Sequence, residues 1–240
     1  MKCLILAAGK SSRLQLRGNS KPLIPVLGKP LIERVISSAL KAEADDFYVV
    51  TGYRGELIAA FLKEIAEKLD VTITTINNDD WEKENGISVL KARDYIDEPF
   101  LLLMADHIFD PSAMRKLIEQ SVSDGETLLC VDRDLNNPNI DLEDVTRVKV
   151  LDDKIIAIGK GLEDFNCFDT GIFLCTPEIF KAIEMSADKE NDTTLSGGIR
   201  ILAAEKKVGV VDITGLSWID VDIPEAIKTA ENIILQDLRE

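Results

Sequence analysis

The residues best placed to do chemistry lie near the start of the chain, in Leu6-Ala7-Ala8-Gly9-Lys10-Ser11-Ser12-Arg13, with Lys21-Pro22 following. Ala7, Ala8 and Gly9 leave the backbone bare, so its N–H groups can approach a polyphosphate or a flat base closely. Ser11 and Ser12 continue the small-residue loop. Lys10, Arg13 and Lys21 add cations for phosphate oxygens, and Arg can grip them through two donors at once. Such a segment suits a nucleotide. A P-loop is excluded, because the glycine it needs five positions before Gly9 is here Leu4. The dinucleotide fingerprint also fails, since Gly9 stands without its two companion glycines. A plain charged turn would explain Gly9-Lys10-Ser11 alone, but not Arg13 and Lys21-Pro22 at these spacings.

Acidic residues form the second group. The aliphatic run Leu101–Met104 ends in Ala105-Asp106-His107, which places Asp106 at the edge of a sheet, facing the same crevice as the glycine segment. A divalent cation carrying a nucleoside triphosphate needs such a hard oxygen donor. Capping a helix is the other use for Asp106, although Asp110 before Pro111 fills that role better. Near the C-terminus, alternation in Asp220-Val221-Asp222 puts both carboxylates on one face. Asp222 also stands where it could cap a helix starting at Pro224. Carboxylates aimed at one cation repel each other without it, so neutralising Asp106 is expected to leave metal-free stability unchanged or raised.

An α/β frame must hold these groups. Apolar runs predict strands at Lys2–Leu6, Phe47–Thr51, Thr72–Ile76, Phe100–Met104, Thr127–Asp132, Val145–Val150, Gly171–Cys175 and Val208–Ile213. Amphipathic stretches at Pro30–Ala42, Glu56–Lys68, Gly86–Arg93, Pro111–Ser121 and Pro224–Leu235 predict helices, several opened by Pro. The early alternation implies a Rossmann-like, mixed and mostly parallel sheet with helices on both faces. Its ligands gather at the carboxyl ends of the strands, where the first loop lies. The later half is expected to add a small antiparallel part on the substrate side, and Asn136–Asp144 is the loosest loop.

The 240 residues suit a single domain, 1–240, with 45% apolar residues for its core. A net charge of −15 argues against nucleic acid or an anionic membrane surface as partner. No run approaches membrane-spanning length, and the N-terminus does not read as a signal peptide. Cys3, Cys130, Cys167 and Cys175 have no CxxC spacing and read as buried reduced thiols, which suits a cytoplasmic setting.

Leu6–Leu14 with Lys21-Pro22 resembles the signature of the nucleotidyltransferases that activate sugar and alcohol phosphates, although Ser11 stands where that motif usually has Gly. The resemblance implies a nucleotidyltransferase fold. It makes Asp106 a magnesium ligand, and Asp222 the second ligand with Asp220 as the alternative. Ala105-Asp106-His107 is similar to a Gly-Asp-His motif of the subfamilies that activate alcohol phosphates. It casts His107 as a neighbour of the metal or of the acceptor, not a proton carrier. By the same likeness Asn85, Gly86 and Ser88 border the base and ribose, with Gly86 allowing close approach. Lys160 would meet the acceptor phosphate, and Asp169 in Asp169-Thr170-Gly171 would accept from an acceptor hydroxyl.

The implied reaction needs no covalent nucleophile and no general base. The acceptor phosphate attacks the α-phosphorus of the triphosphate in line, and pyrophosphate leaves. The protein has to hold two anions together and neutralise charge, which falls to Lys10, Arg13, Lys21, Lys160 and Mg2+. Nearly the whole chain is similar to cytidylyltransferases of the inositol-1-phosphate and phosphocholine type. This likeness implies CTP and a small phosphorylated alcohol as substrates, inositol 1-phosphate first, for phospholipid biosynthesis. Such relatives are often fused to a membrane phosphatidyltransferase, so the chain is expected to be a stand-alone enzyme or an excised domain that cooperates with one; a homodimer is compatible with this reading. The competing readings are phosphocholine cytidylyltransferase, a hexose-1-phosphate pyrophosphorylase using UTP, dTTP or GTP, and a non-catalytic nucleotide-binding subunit.

Overall fold

The structure, a computed structural model, describes residues 1–10 and 20–237. Strand β1 (Lys2–Ala7) opens the chain, and a hairpin of β2 (Pro25–Val26) and β3 (Lys29–Pro30) leads into helix α1 (Leu31–Lys41). Then come β4 (Asp46–Thr51), α2 (Gly55–Leu69), β5 (Thr72–Asn77), α3 (Asn85–Leu90), β6 (Phe100–Met104), β7 (His107–Phe109) and α4 (Pro111–Ile118). The second half runs β8 (Thr127–Asp132), β9 (Arg147–Leu151), β10 (Lys154–Gly159), β11 (Cys167–Cys175), α5 (Glu178–Glu190) and α6 (Leu195–Ala204). It closes with β12 (Val208–Asp212), β13 (Trp218–Asp220) and α7 (Pro224–Asp237).

Among the described residues nine strands form one sheet in the order β5-β4-β1-β6-β11-β8-β12-β10-β9. β1 lies between β4 and β6, parallel to both, which is why Cys3, Leu4 and Ile5 are fully buried and apolar without alternation. β11 runs antiparallel to β6 and β8, and β9 and β10 are antiparallel to each other, so the expected antiparallel portion exists. It is wider than the sequence implied, because β10 was not anticipated and β11 begins at Cys167 instead of Gly171. One apolar layer packs α1, α2 and α4 through Ile36, Leu62 and Leu117. The opposite layer packs α3, α5 and α6 through Val89, Phe180 and Ile199. All four cysteines are buried and free, and burial pushes the Cys167 and Cys175 thiols up to about 12.

A two-stranded sheet of β7 and β13 builds the site's acidic side, pairing Asp220 with His107. The Val221 N–H donates to the Asp106 carbonyl at 3.0 Å, tying the two acidic segments backbone to backbone. Ile219 and Val221 are buried beneath α7 beside Ala230 and Ile233, while Asp220 and Asp222 remain partly exposed, so the alternation read from sequence holds. Asp110 caps α4 by accepting from the Ser112 N–H at 2.7 Å, with Pro111 in the first turn. Asp106 is thereby left for other work.

Candidate active site

The side chains converge on Lys21. Its Nζ lies 2.6 Å from Asp106 Oδ2 and 3.3 Å from Asp220 Oδ1, and it also contacts Asp222 Oδ1. A lysine that reaches phosphate oxygens from the sequence's cation-rich segment is expected to be open to solvent, and the structure differs. Lys21 is instead 7% exposed and satisfied by three carboxylates. Burial alone would lower its pKa, but the charges of Asp106 and Asp220 raise it above the ordinary lysine value. For Asp106, burial pushes upward and is outweighed by Lys21 and His107, which hold its carboxyl well below the usual carboxylate range. Asp220 goes the other way: burial, with the Asp106 charge adding to it, keeps its pKa raised despite His107 and Lys21. His107 Nδ1 sits 2.9 Å from Asp106 Oδ1 and 3.8 Å from Asp220 Oδ1. Burial disfavours the imidazolium, but these acids raise the His107 pKa overall.

A hard divalent cation fits this donor set. Ligand atoms of Asp106, His107 and Asp220 lie within 4.8 Å of one another, as do those of Asp144, Asp220 and Asp222. The ammonium of Lys21 among these oxygens marks a point where the chain itself requires positive charge.

A cavity of about 670 Å³ adjoins the acids and reaches from the end of β1 to the loop before β9 and the turn after β10. On the β1 side, Leu6, Ala8 and Gly9 line it together with Trp81. A Cβ on Gly9 would meet no described residue within 4 Å. The carbonyls of Leu6 and Ala8 are committed, accepting from the Ala105 and Tyr53 N–H groups at 3.1 and 2.9 Å. Ala7 borders a small adjoining recess with Lys21 and Asp222. Lys10 Nζ lies 5.7 Å from the Tyr53 ring centre, and that ring is 5.2 Å from Trp81. Ser11, Ser12 and Arg13 fall outside the described residues.

Three further expectations change. Gly86 does not line the cavity; a Cβ there would come within 2.4 Å of the Thr193 carbonyl, so its closeness serves the packing of α3 on the start of α6. Asn85 and Ser88 do line it, but the Asn85 Oδ1 accepts from the Leu195 N–H at 2.9 Å and Ser88 Oγ accepts from Asn78 Nδ2 at 3.0 Å. Thr170 is fully buried and donates to the Cys130 carbonyl at 2.8 Å, so its hydroxyl faces the sheet and not a substrate.

On the far side, the Asp169 carboxylate accepts from the Gly171 N–H at 2.8 Å. Burial pushes its pKa up to about 6, only partly offset by that N–H and by His107. Gly171 has φ +75°, and a Cβ would come within 2.9 Å of the His107 ring, so glycine is required there both for conformation and for space. Lys160 pairs with Asp144 at 2.6 Å. Sequence reasoning missed Asp144, Trp81 and the buried Asp132. Asp132 accepts from Trp218 Nε1 and Asn137 Nδ2, both at 2.9 Å. No local pattern marks these residues, because their neighbours come from distant parts of the chain.

A mixed sheet with a bare-backbone loop after its first strand, facing carboxylates at the strand ends, defines a nucleotidyltransferase. The chain belongs to the MobA-like NTP transferase domain family, whose model matches residues 3–140. It is 33% identical over 236 residues to the "Bifunctional IPC transferase and DIPP synthase" of Thermococcus kodakarensis, covering 98% of this chain and 51% of that one. The chain thus spans about half the length of these curated relatives. The structure of the inositol-1-phosphate CTP transferase from T. maritima superposes with a TM-score of 0.82 at 24% identity, covering 97% of this chain and 95% of that one. A UDP-glucose pyrophosphorylase complexed with UDP-glucose gives 0.81 at 20% identity over 98% of both chains, so the fold is shared by enzymes that differ in nucleotide and acceptor. No helix among the described residues is long and apolar enough to cross a membrane.

Proposed function

We propose that the chain transfers the cytidylyl group of CTP to inositol 1-phosphate, yielding CDP-inositol and pyrophosphate with Mg2+. The observation that carries the reaction class is the meeting of Asp106, Asp220 and Asp222 around one buried positive charge, between the β1 loop and the far side of the cavity. The choice of CTP and inositol 1-phosphate is supported by the names of the Thermococcus and T. maritima proteins.

Asp106 and Asp222, with Asp220 beside them, would hold Mg2+, which supplies neutralising charge to the triphosphate. Leu6 to Gly9 support the nucleotide, Asn85 and Ser88 border it, and Trp81 walls it. Lys10 faces the phosphates, and the same role is assigned to Arg13 from its sequence position. Lys21 stabilises the charge gathering at the α-phosphate once it leaves its carboxylates. Lys160 receives the acceptor phosphate, Asp169 accepts from an acceptor hydroxyl, and His107 keeps Asp106 and Asp220 in place. The acceptor phosphate is already an anionic nucleophile, so catalysis consists of positioning and charge stabilisation.

The phosphatidyltransferase that would consume the CDP-alcohol, as a fused or separate membrane protein, belongs to the same proposal, as does a cytoplasmic setting. Hexose-1-phosphate activation with UTP, dTTP or GTP is the second reading, favoured by the nearly equal fold likeness to a UDP-glucose pyrophosphorylase. Pyrophosphate release with magnesium, measured for each triphosphate against inositol 1-phosphate, phosphocholine and hexose 1-phosphates, decides between them. Highest catalytic efficiency with CTP and inositol 1-phosphate supports the proposal; highest efficiency with a hexose 1-phosphate supports the second reading. No release with any pair leaves a nucleotide-binding subunit.

A further inference from the structure

The cations proposed for the acceptor and nucleotide phosphates are both held by acids of this chain, and those acids are neighbours. Lys21 lies among Asp106, Asp220 and Asp222, while Lys160 lies on Asp144. Carboxylate oxygens of Asp144, Asp220 and Asp222 are within 4.8 Å of one another. A continuous run of charged side chains therefore leads from Lys160 through the adjoining carboxylates of Asp144, Asp220 and Asp222 to Lys21 and Asp106. The segment bearing Asp144 is not a loose strap. Asn137 ties its beginning to the buried Asp132, the same carboxylate that holds Trp218 at the root of the Asp220 strand, and Asp144 N–H bonds back to the Asp141 carbonyl at 3.1 Å.

We infer that Asp144 is a positioning residue that stores Lys160 in the metal-free protein and yields it to the acceptor phosphate as positive charge enters the neighbouring acids. An acceptor phosphate approaching the metal-free site meets a lysine already neutralised. A divalent cation among Asp220 and Asp222 attracts Asp144 as well, weakening its hold on Lys160. Metal loading and acceptor binding are then coupled, and the coupling is reciprocal. The inference rests on the acceptor role proposed for Lys160. Its size is bounded by exposure: Lys160 is 61% and Asp144 25% exposed, and so open a pair couples by about two- to fivefold at most.

The test is calorimetric binding of inositol 1-phosphate to the whole chain without metal, in wild type, Asp144→Asn, Lys160→Ala and the double variant. Asp144→Asn is expected to bind about two- to fivefold tighter than wild type, with the gain absent in the Lys160→Ala background. Asp144→Glu, which keeps the charge and can still reach Lys160, is expected to behave as wild type. With magnesium, wild type is expected to approach Asp144→Asn. An equal gain in both backgrounds means that Asp144 merely repels anions, and no gain means that it does not restrain Lys160; either overturns the inference. Should Lys160→Ala leave affinity unchanged with magnesium present, where Lys160 is released, the acceptor role of Lys160 falls instead, and the inference falls with it.

Discussion

At the scale of single residues, the acids of the cluster are not equivalent. The Asp106 pKa is depressed, so its ionised form stabilises the fold above its unfolded pKa, and this support is lost as pH falls through the folded value. Asp220 is raised and strains against its neighbours. Asp106→Asn is therefore expected to lower the metal-free Tm near neutral pH, reversing the expectation drawn from repulsion alone, because Lys21 already compensates the cluster. Lys21 retains two other carboxylates and Asp106 is 29% exposed, so the loss is about 1 kcal/mol, or about 2–4 °C for a chain of this size. Asp220→Asn should leave Tm unchanged or raise it; a fall as large as that of Asp106→Asn would contradict this electrostatic reading. Asp169 gives a second case. Its folded pKa near 6 lies above its unfolded value, so stability declines as pH rises from about 4 to about 6 and is flat beyond. Asp169→Asn is expected to gain a few degrees at pH 8 and nothing at pH 3.5, by thermal melts across that range. A gain independent of pH would mean that burial does not perturb Asp169.

At the scale of elements, two glycines that looked alike in sequence part company. Gly86→Ala forces a Cβ against the Thr193 carbonyl at 2.4 Å and is expected to cost about 2–3 kcal/mol by splaying α3 from α6. Gly9→Ala meets no described residue within 4 Å, so Tm should hold while the KM for the nucleotide rises. Melting curves and nucleotide titrations of the pair check this contrast, and a Gly9→Ala that melts early with unaltered KM would move Gly9 from the site to the scaffold. Most of the long apolar strands and amphipathic helices were legible because one chain segment carries their whole signal, although β10 and α5 were not expected. The three-residue strands β7 and β13 were not: each is stable only on the other, more than a hundred residues away. Helix α6 hid behind Ser196-Gly197-Gly198, poor helix formers whose bareness admits α5, since Cβ atoms there would strike Ser186 and Ile183 at 2.4 and 2.5 Å. At the site, Asp106, Asp220 and Asp222 could be read from strand ends and alternation. That Lys21 sits among them, and that Asp144 adjoins them, depends on tertiary approach and leaves no local trace.

At the scale of the whole molecule, the nine-stranded sheet carries apolar layers on both faces, and a third cluster under α7 joins the acidic strands to it. The chain is expected to melt in one cooperative transition, with coincident circular dichroism and tryptophan curves because Trp218 is buried at the junction. Two separated transitions would divide it into domains. The net charge of −15 leaves the cavity's cations as the attraction for anionic substrates, so duplex DNA is expected to show no measurable binding at physiological salt. The central claim, that an acceptor phosphate attacks the α-phosphorus of CTP, is tested most directly by phosphorus NMR of CTP, inositol 1-phosphate and magnesium incubated with the enzyme. The account predicts a pair of coupled diester phosphorus signals growing together with free pyrophosphate, as the inositol 1-phosphate monoester and CTP signals decline. Orthophosphate with CDP, or an unchanged spectrum with this pair and with every other triphosphate and monoester, would contradict it.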